Sequence, residues 1–296
     1  MDTAEILKKV RQIEIQTNKL VSETFAGEYL STFKGQGIEF AEVREYIPGD
    51  DIRSIDWNVT ARTGIPYIKK YNEERELTLM IACDVSGSQR FGSKGKLKLE
   101  AAAELAALFA MSALKNSDKV GLLLFSDKIE LFVPPRKGRK HILRLIRELV
   151  AFEPKERGTN LALCLETLNK VIKRQGIVVL ISDFLSPVAS FSKPFKLAAK
   201  KFDLIPVMLR DKLETGFPLL SACIEVQDPE TGAEDILCLS SQELNQRLQA
   251  HQVRQDIDLT SLFNPFKIDA ISIDPAQPTA DPVIRFFKAR SRKIRR

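Results

Sequence analysis

Asp84, Ser86 and Ser88 alternate in Asp84-Val85-Ser86-Gly87-Ser88, and Thr159 and Asp183 follow further along the chain, each beside a run of apolar residues. All five side chains offer oxygen. Where a chain leaves a strand, alternate residues point the same way, so the Asp84 carboxylate and both hydroxyls can face one point. Two carboxylates and three hydroxyls suit a hard divalent cation such as Mg2+, which takes oxygen ligands and keeps several waters; Mn2+ and Ca2+ share that preference. The set offers nothing soft, which disfavours zinc or an iron-sulfur cluster. Neutral hydroxyl ligands leave positive charge on the ion and an open position, which suits capture of a partner's carboxylate better than hydrolysis of a bond.

For these residues to meet, strands must carry them to one edge of a sheet. Leu77 to Cys83, Val120 to Phe125, Ile177 to Ser182 and Asp203 to Leu209 are continuous apolar runs of strand length, as expected of strands covered on both faces. Between them, Leu97 to Leu114, His141 to Val150 and Leu161 to about Lys173 read as helices, and Ile129 to Val133 lies close enough to the second run to form an antiparallel edge hairpin. The alternation predicts an α/β fold, a doubly wound, mostly parallel sheet with right-handed crossovers and helices on both faces. Ligands of such sheets bind outside the carboxyl ends of the strands, where Asp84, Ser86, Ser88 and Asp183 fall, with Thr159 in a loop that opens a helix.

The flanks read differently. Ile6, Val10, Ile13, Thr17 and Leu20 recur at helical spacing within Thr3 to Glu23, whereas Gly27 to Tyr71 is punctuated by Gly35, Gly37, Pro48-Gly49, Gly64 and Pro66, which predicts turns and brief strands. Ser221 to Val226 and Ile236 to Leu239 flank a Pro/Gly turn and form a second hairpin; Ser241 to about Leu262 is a helix, and Ile268 to Ile273 a last strand. Three segments are expected: 1–75, a helix and turn-rich region packed on the main domain; 76–275, the sheet domain; and 276–296, a helix with a basic tail.

At 296 residues, with 44% hydrophobic and 28% charged residues, the chain has the composition of an ordinary folded protein. Its net charge of +6 equals the six bases of Lys288 to Arg296, so the rest is neutral and the excess reads as a solvated tail. Cys83, Cys164, Cys223 and Cys238 are far apart, form no C-x-x-C pair and read as buried thiols of a reducing compartment. The N-terminus has no secretory h-region, and no uncharged apolar run approaches the roughly 18 residues of a membrane span, so a cytoplasmic location is expected.

Asp84-x-Ser86-x-Ser88 with Thr159 and Asp183 resembles the metal-ion-dependent adhesion site of von Willebrand factor A domains, over roughly Leu77 to Leu209. Gly37-Ile38-Glu39-Phe40, Val43-Arg44-Glu45-Tyr46, Pro48-Gly49-Asp50-Asp51-Ile52-Arg53, Ile55-Asp56-Trp57-Asn58, Ala61-Arg62, Phe132 to Gly138 and Ser182-Asp183-Phe184 further resemble the bacterial family called domain of unknown function fifty-eight. That resemblance implies a cytoplasmic or membrane-tethered protein with a von Willebrand factor A-like domain, acting with a MoxR-type AAA+ ATPase. The five residues would then hold Mg2+, Mn2+ or Ca2+ and await a carboxylate from an acidic-residue-bearing partner protein. Gln89 departs from the family pattern, in which a Met often follows the motif.

Other chemistries fit less well. Ser86, Asp183 and His251 follow the chain order of a hydrolase triad, but no G-x-S-x-G elbow surrounds Ser86. A metal-dependent hydrolase at the same site would gather more carboxylates. Gly92 to Leu97 is too short between its glycines for a phosphate loop, and the basic tail lacks the interleaved aromatics of a nucleic-acid module. Glu39, Glu45, Asp50, Asp51 and Asp56 are interleaved with Arg44, Arg53 and Arg62, which predicts mutual pairing, with a partner-binding face around Trp57 as the alternative. A non-enzymatic interaction module is the reading expected; a metal-independent scaffold is the alternative.

Overall fold

The computed structural model describes residues 3–21, 39–72, 77–93, 95–153, 158–214, 216–217, 220–229 and 232–294. The chain opens on helix α1 (Thr3–Leu20), whose apolar stripe buries Val10 and packs Ile6 and Ile13 against the main core. Strands β1 (Glu39–Glu45) and β2 (Tyr67–Asn72) pair antiparallel around a 3-10 turn at Ile52–Ser54 and the short helix α2 (Trp57–Thr63). The alternating part follows as β3 (Thr78–Asp84), α3 (Lys98–Lys115), β4 (Lys119–Phe125), β5 (Ile129–Arg136), α4 (Arg139–Val150), α5 (Leu161–Val171), β6 (Ile177–Ser182), α6 (Val188–Lys201) and β7 (Asp203–Leu209). A hairpin of β8 (Cys223–Gln227) and β9 (Glu234–Cys238), then α7 (Gln242–Phe263), β10 (Ile271–Ile273) and α8 (Ala280–Ile294), complete the described chain.

The main sheet runs β10-β7-β6-β3-β4-β5, parallel throughout except for β5, which turns back beside β4 at one edge. The inner strands β3, β4, β6 and β7 are buried and apolar along almost their whole length because both faces are covered, with polar residues only at their ends. Leu79, Ile81 and Cys83 of β3 face one core with α1, α3, α4 and α8, whereas Met80 and Ala82 face a second core with α5, α6 and α7. The Ala-rich stretch of α3 brings that helix close to the sheet, burying thirteen of its residues. The predicted doubly wound, mostly parallel sheet is the fold observed.

Two expectations from the flanks are corrected. Cys83 and Cys164 are buried free thiols, but Cys223 and Cys238 are exposed and disulfide-bonded. The antiparallel β8–β9 register sets them directly opposite each other, a proximity that spacing of 15 residues does not announce. The C-terminal bases do not fray from Lys288 onward; α8 continues to Ile294, with Phe287 fully buried, Arg290 paired to Asp203 and Lys293 to Asp269. Among the interleaved charges, Arg44 does pair with Asp50 at 2.8 Å, while Asp51 and Asp56 instead cap the 3-10 turn and α2. The turns expected from Gly27 to Gly37, the 230–231 turn tip and Arg295-Arg296 lie outside the described residues. No helix among the described residues is long and apolar enough to cross a membrane.

Candidate functional site

Asp84 is the last residue of β3, and its carboxylate is fully buried. One oxygen accepts the Ser86 backbone N–H at 3.0 Å, and the other accepts the Ser182 hydroxyl, from the end of β6, at 2.8 Å. The chain then enters a 3-10 turn, Gly87–Arg90, with Ser86 at its N-cap, which sets the Ser86 and Ser88 hydroxyls 3.1 Å apart. Ser88 Oγ donates to Asp183 Oδ2 at 2.7 Å. Four of the five predicted residues, Asp84, Ser86, Ser88 and Asp183, are therefore linked in one buried group across the carboxyl ends of β3 and β6.

Thr159 reaches the same edge by another route. The backbone N–H of Asn160 donates to Ser126 O just beyond β4, and the Asn160 side chain caps α5, so half-buried Thr159 is carried to the end of the neighbouring strand. Val85 N–H bonds Phe125 O, tying the Asp84 loop to that strand end.

The Asp183 loop is held under strain. Phe184 has φ +54°, a left-handed conformation that costs a non-glycine residue about 1–3 kcal/mol. The surroundings hold it there: its ring is buried against Phe191 and Phe263, Gln255 of α7 donates to Phe184 O and Ser186 O, and Arg210 Nε donates to Asp183 O at 2.9 Å.

Sequence reasoning missed the cation already present. Lys98, the first residue of α3, has no exposed surface, and its ammonium donates to Asp183 Oδ2 at 3.0 Å and to Glu214 Oε1. It is delivered by a tight loop: Lys98 N bonds Phe91 O, and a Cβ on Gly92 would stand 2.1 Å from Lys96 O, so only glycine fits there. Glu214 is set by the 3-10 turn after β7, where its Oε2 accepts Asp211 N–H while Asp211 accepts Ser93 N–H and Oγ–H. A lysine opening a helix meets the positive end of its dipole, and that was the one sequence signal that Lys98 had a special partner.

The electrostatics follow from burial. Burial and the negative charge of Asp183 push Asp84 up to about 7, against the hydrogen bonds from Ser86 and Ser182 that lower it. Burial alone would pull Lys98 down, but Asp183 and Glu214 outweigh it and the ammonium is held above its ordinary value. Glu214 is raised, by burial first and by Asp183 in addition. Gln89 Nε2 also donates to Asp183 Oδ2, at 3.1 Å, leaving its buried Oε1 without a hydrogen-bond partner. Among the described residues no three His, Cys, Asp or Glu side chains are gathered to hold a metal, so a cation here would rely on the serine hydroxyls beside Asp84 and Asp183.

The chain is 28% identical over 234 residues to the uncharacterized protein Mb1516 of Mycobacterium bovis, covering 78% of this chain and 73% of that one. It is 28% identical over 109 residues to the uncharacterized protein YeaD of Bacillus subtilis, covering 37% and 25% of the two chains. Among solved structures it is similar to the conserved hypothetical protein BatB from Bacteroides thetaiotaomicron, at 15% identity and TM-score 0.47, over 73% of this chain and 99% of that one. It is also similar to a von Willebrand factor type A protein from Catenulispora acidiphila, at 12% identity and TM-score 0.44, over 73% and 42%. The model of one family matches residues 42–257, most of the length described above, and the chain belongs to that family, protein of unknown function DUF58.

Proposed function

We propose that this protein is a non-enzymatic interaction module that holds a divalent cation, Mg2+ first among candidates with Mn2+ and Ca2+ as alternatives, through Asp84, Ser86, Ser88, Thr159 and Asp183. The observation that carries the reading is the buried, hydrogen-bonded group of two carboxylates and two hydroxyls at the sheet edge where ligands of such folds bind. The orphaned Gln89 Oε1 supports it, because a buried acceptor without a donor is a place where a cation or its water is welcome. The ion would supply positive charge and an open position for a carboxylate of the partner protein. The protein's own part is to pre-orient the donors: Ser182 and the Ser86 N–H fix Asp84, and Ser88 fixes Asp183. Action with a MoxR-type AAA+ ATPase in the cytoplasm is the partner assignment that the family resemblance implies.

Isothermal titration of the metal-stripped protein with Mg2+ and Mn2+ tests the site. Saturable binding is expected, and Asp84→Ala is expected to abolish both it and metal-dependent capture of the ATPase while leaving the far-UV circular dichroism unchanged. Equal binding by wild type and Asp84→Ala would sink the assignment. A second reading, a metal-independent scaffold, draws on Trp57, which is 67% exposed; under it, capture of the ATPase survives chelation and is lost in Trp57→Ala.

A further inference from the structure

Asp183 Oδ2 is oversubscribed. It accepts from Ser88 Oγ at 2.7 Å, from Lys98 Nζ at 3.0 Å and from Gln89 Nε2 at 3.1 Å, whereas a carboxylate oxygen offers about two lone-pair sites. Its other oxygen accepts the Leu185 backbone N–H at 3.3 Å. A divalent cation that takes Asp183 Oδ2, the oxygen shared with Ser88, as a ligand must therefore displace a donor, and the one whose charge opposes the ion is Lys98. That lysine does not need Asp183 to stay paired. Its ammonium already touches Glu214, which is itself fixed by Asp211 N–H and faces the site from the turn after β7.

We infer that Lys98 is a built-in cation that competes with the divalent ion for Asp183, and that Glu214 is the carboxylate to which Lys98 withdraws when the metal enters. The inference rests on the metal-site reading above and adds an exchange to it. With the metal absent, Lys98 bridges Asp183 and Glu214 and neutralises an otherwise repulsive pair of buried acids. With the metal bound, Asp183 changes partner and Lys98 keeps Glu214. Among the described residues the other charges facing this point are Asp84 from β3, Asp211 beside Glu214, and Arg210, which donates to Asp183 O and pairs with Asp256. The site is thus tuned for modest, exchangeable metal affinity rather than permanent loading. Lys98 acts on the ion through Asp183, so it is a positioning residue.

The two variants should move metal affinity in opposite directions, which a merely structural role would not do. Titration of the metal-stripped full chain with MgCl2 and MnCl2 is expected to give at least tenfold tighter binding in Lys98→Met. In Glu214→Gln, where Lys98 has lost its alternative partner, binding is expected to weaken several-fold. In Lys98→Met/Glu214→Gln the Glu214 substitution should weaken binding far less than it does with Lys98 present, because Glu214 acts chiefly through Lys98. If the single lysine variant fails to fold by circular dichroism, the double variant, with one buried acid fewer left unpaired, carries the comparison against wild type. Lysine variants that bind the metal no more tightly than wild type overturn this inference and leave the metal reading intact. No binding in wild type and in either lysine variant overturns both, whereas binding seen only when Lys98 is replaced supports the exchange most directly.

Discussion

A carboxylate with no exposed surface is an expensive thing to keep ionised, and Asp84 is held where burial and Asp183 both oppose its charge. Its folded value of about 7 lies above the ordinary 3.8, so between those values the folded, metal-free protein binds more protons than the unfolded chain. Stability in EDTA should therefore fall as pH rises from about 4 to about 7 and level off above, by an amount on the order of a few kcal/mol. Asp84→Asn, neutral at every pH, should flatten that slope. We expect urea midpoints of the variant above wild type at pH 8 in EDTA, with the gap closing toward pH 4; a wild-type curve that rises through this window would remove burial as the dominant effect on Asp84. Residues of this kind are legible in sequence when they close a strand, as Asp84 does, or follow directly after one, as Ser86, Ser88 and Asp183 do. Lys98 was not, because its partners lie 85 and 116 residues away, and no local pattern encodes a meeting of that separation.

Elements were legible where one period dominated. The apolar runs of β3, β4, β6 and β7 could only be strands covered on both faces, and the short β4–β5 connection could only turn back on itself. α6 was harder to see, since Pro194 sits inside it and Ser186-Pro187 precedes it, both signals that usually interrupt a helix. The last helix was expected and only its end misled: the six bases suggested a solvated tail, but the helix runs on through them to Ile294, with Ala280, Val283 and Phe287 at helical spacing buried on its inner side. Phe287 packs edge-on against Phe109 of α3 at 6.0 Å and belongs to the core on that face of the sheet. Phe287→Ala should cost about 3–5 kcal/mol by loss of burial and the cavity left behind. Phe286→Ala, at a half-buried position, should cost distinctly less. Denaturant midpoints of the two variants check this, and equal costs would mean that α8 docks through its neighbouring residues instead.

At the scale of the whole molecule, the sheet domain carries nearly all the buried apolar surface, while the β1–β2 pair and α2 carry an apolar surface turned to solvent. α2 has no buried residue; it is fixed by the Asp56 cap, by Gly64 at φ +74° closing its end, and by Tyr67 N–H on the Thr60 hydroxyl. Trp57, with Ile47, Ile52 and Ile65, therefore lies exposed on a region braced by capping and ladder hydrogen bonds. Since Trp57 is the single tryptophan of the chain, its fluorescence reports this face and nothing else. Native emission should resemble that of indole in water and shift little in urea, although far-UV circular dichroism passes through a full cooperative transition. Trp57→Phe should leave the midpoint within about 0.5 kcal/mol of wild type, as expected of a surface substitution. A strongly blue-shifted native emission would contradict the exposed placement of the ring, and a shift that vanished on dilution would mean that the face closes on a second copy of the chain. In that case the same fluorescence would measure the association directly, because unfolding of the sheet domain alone leaves Trp57 in water before and after.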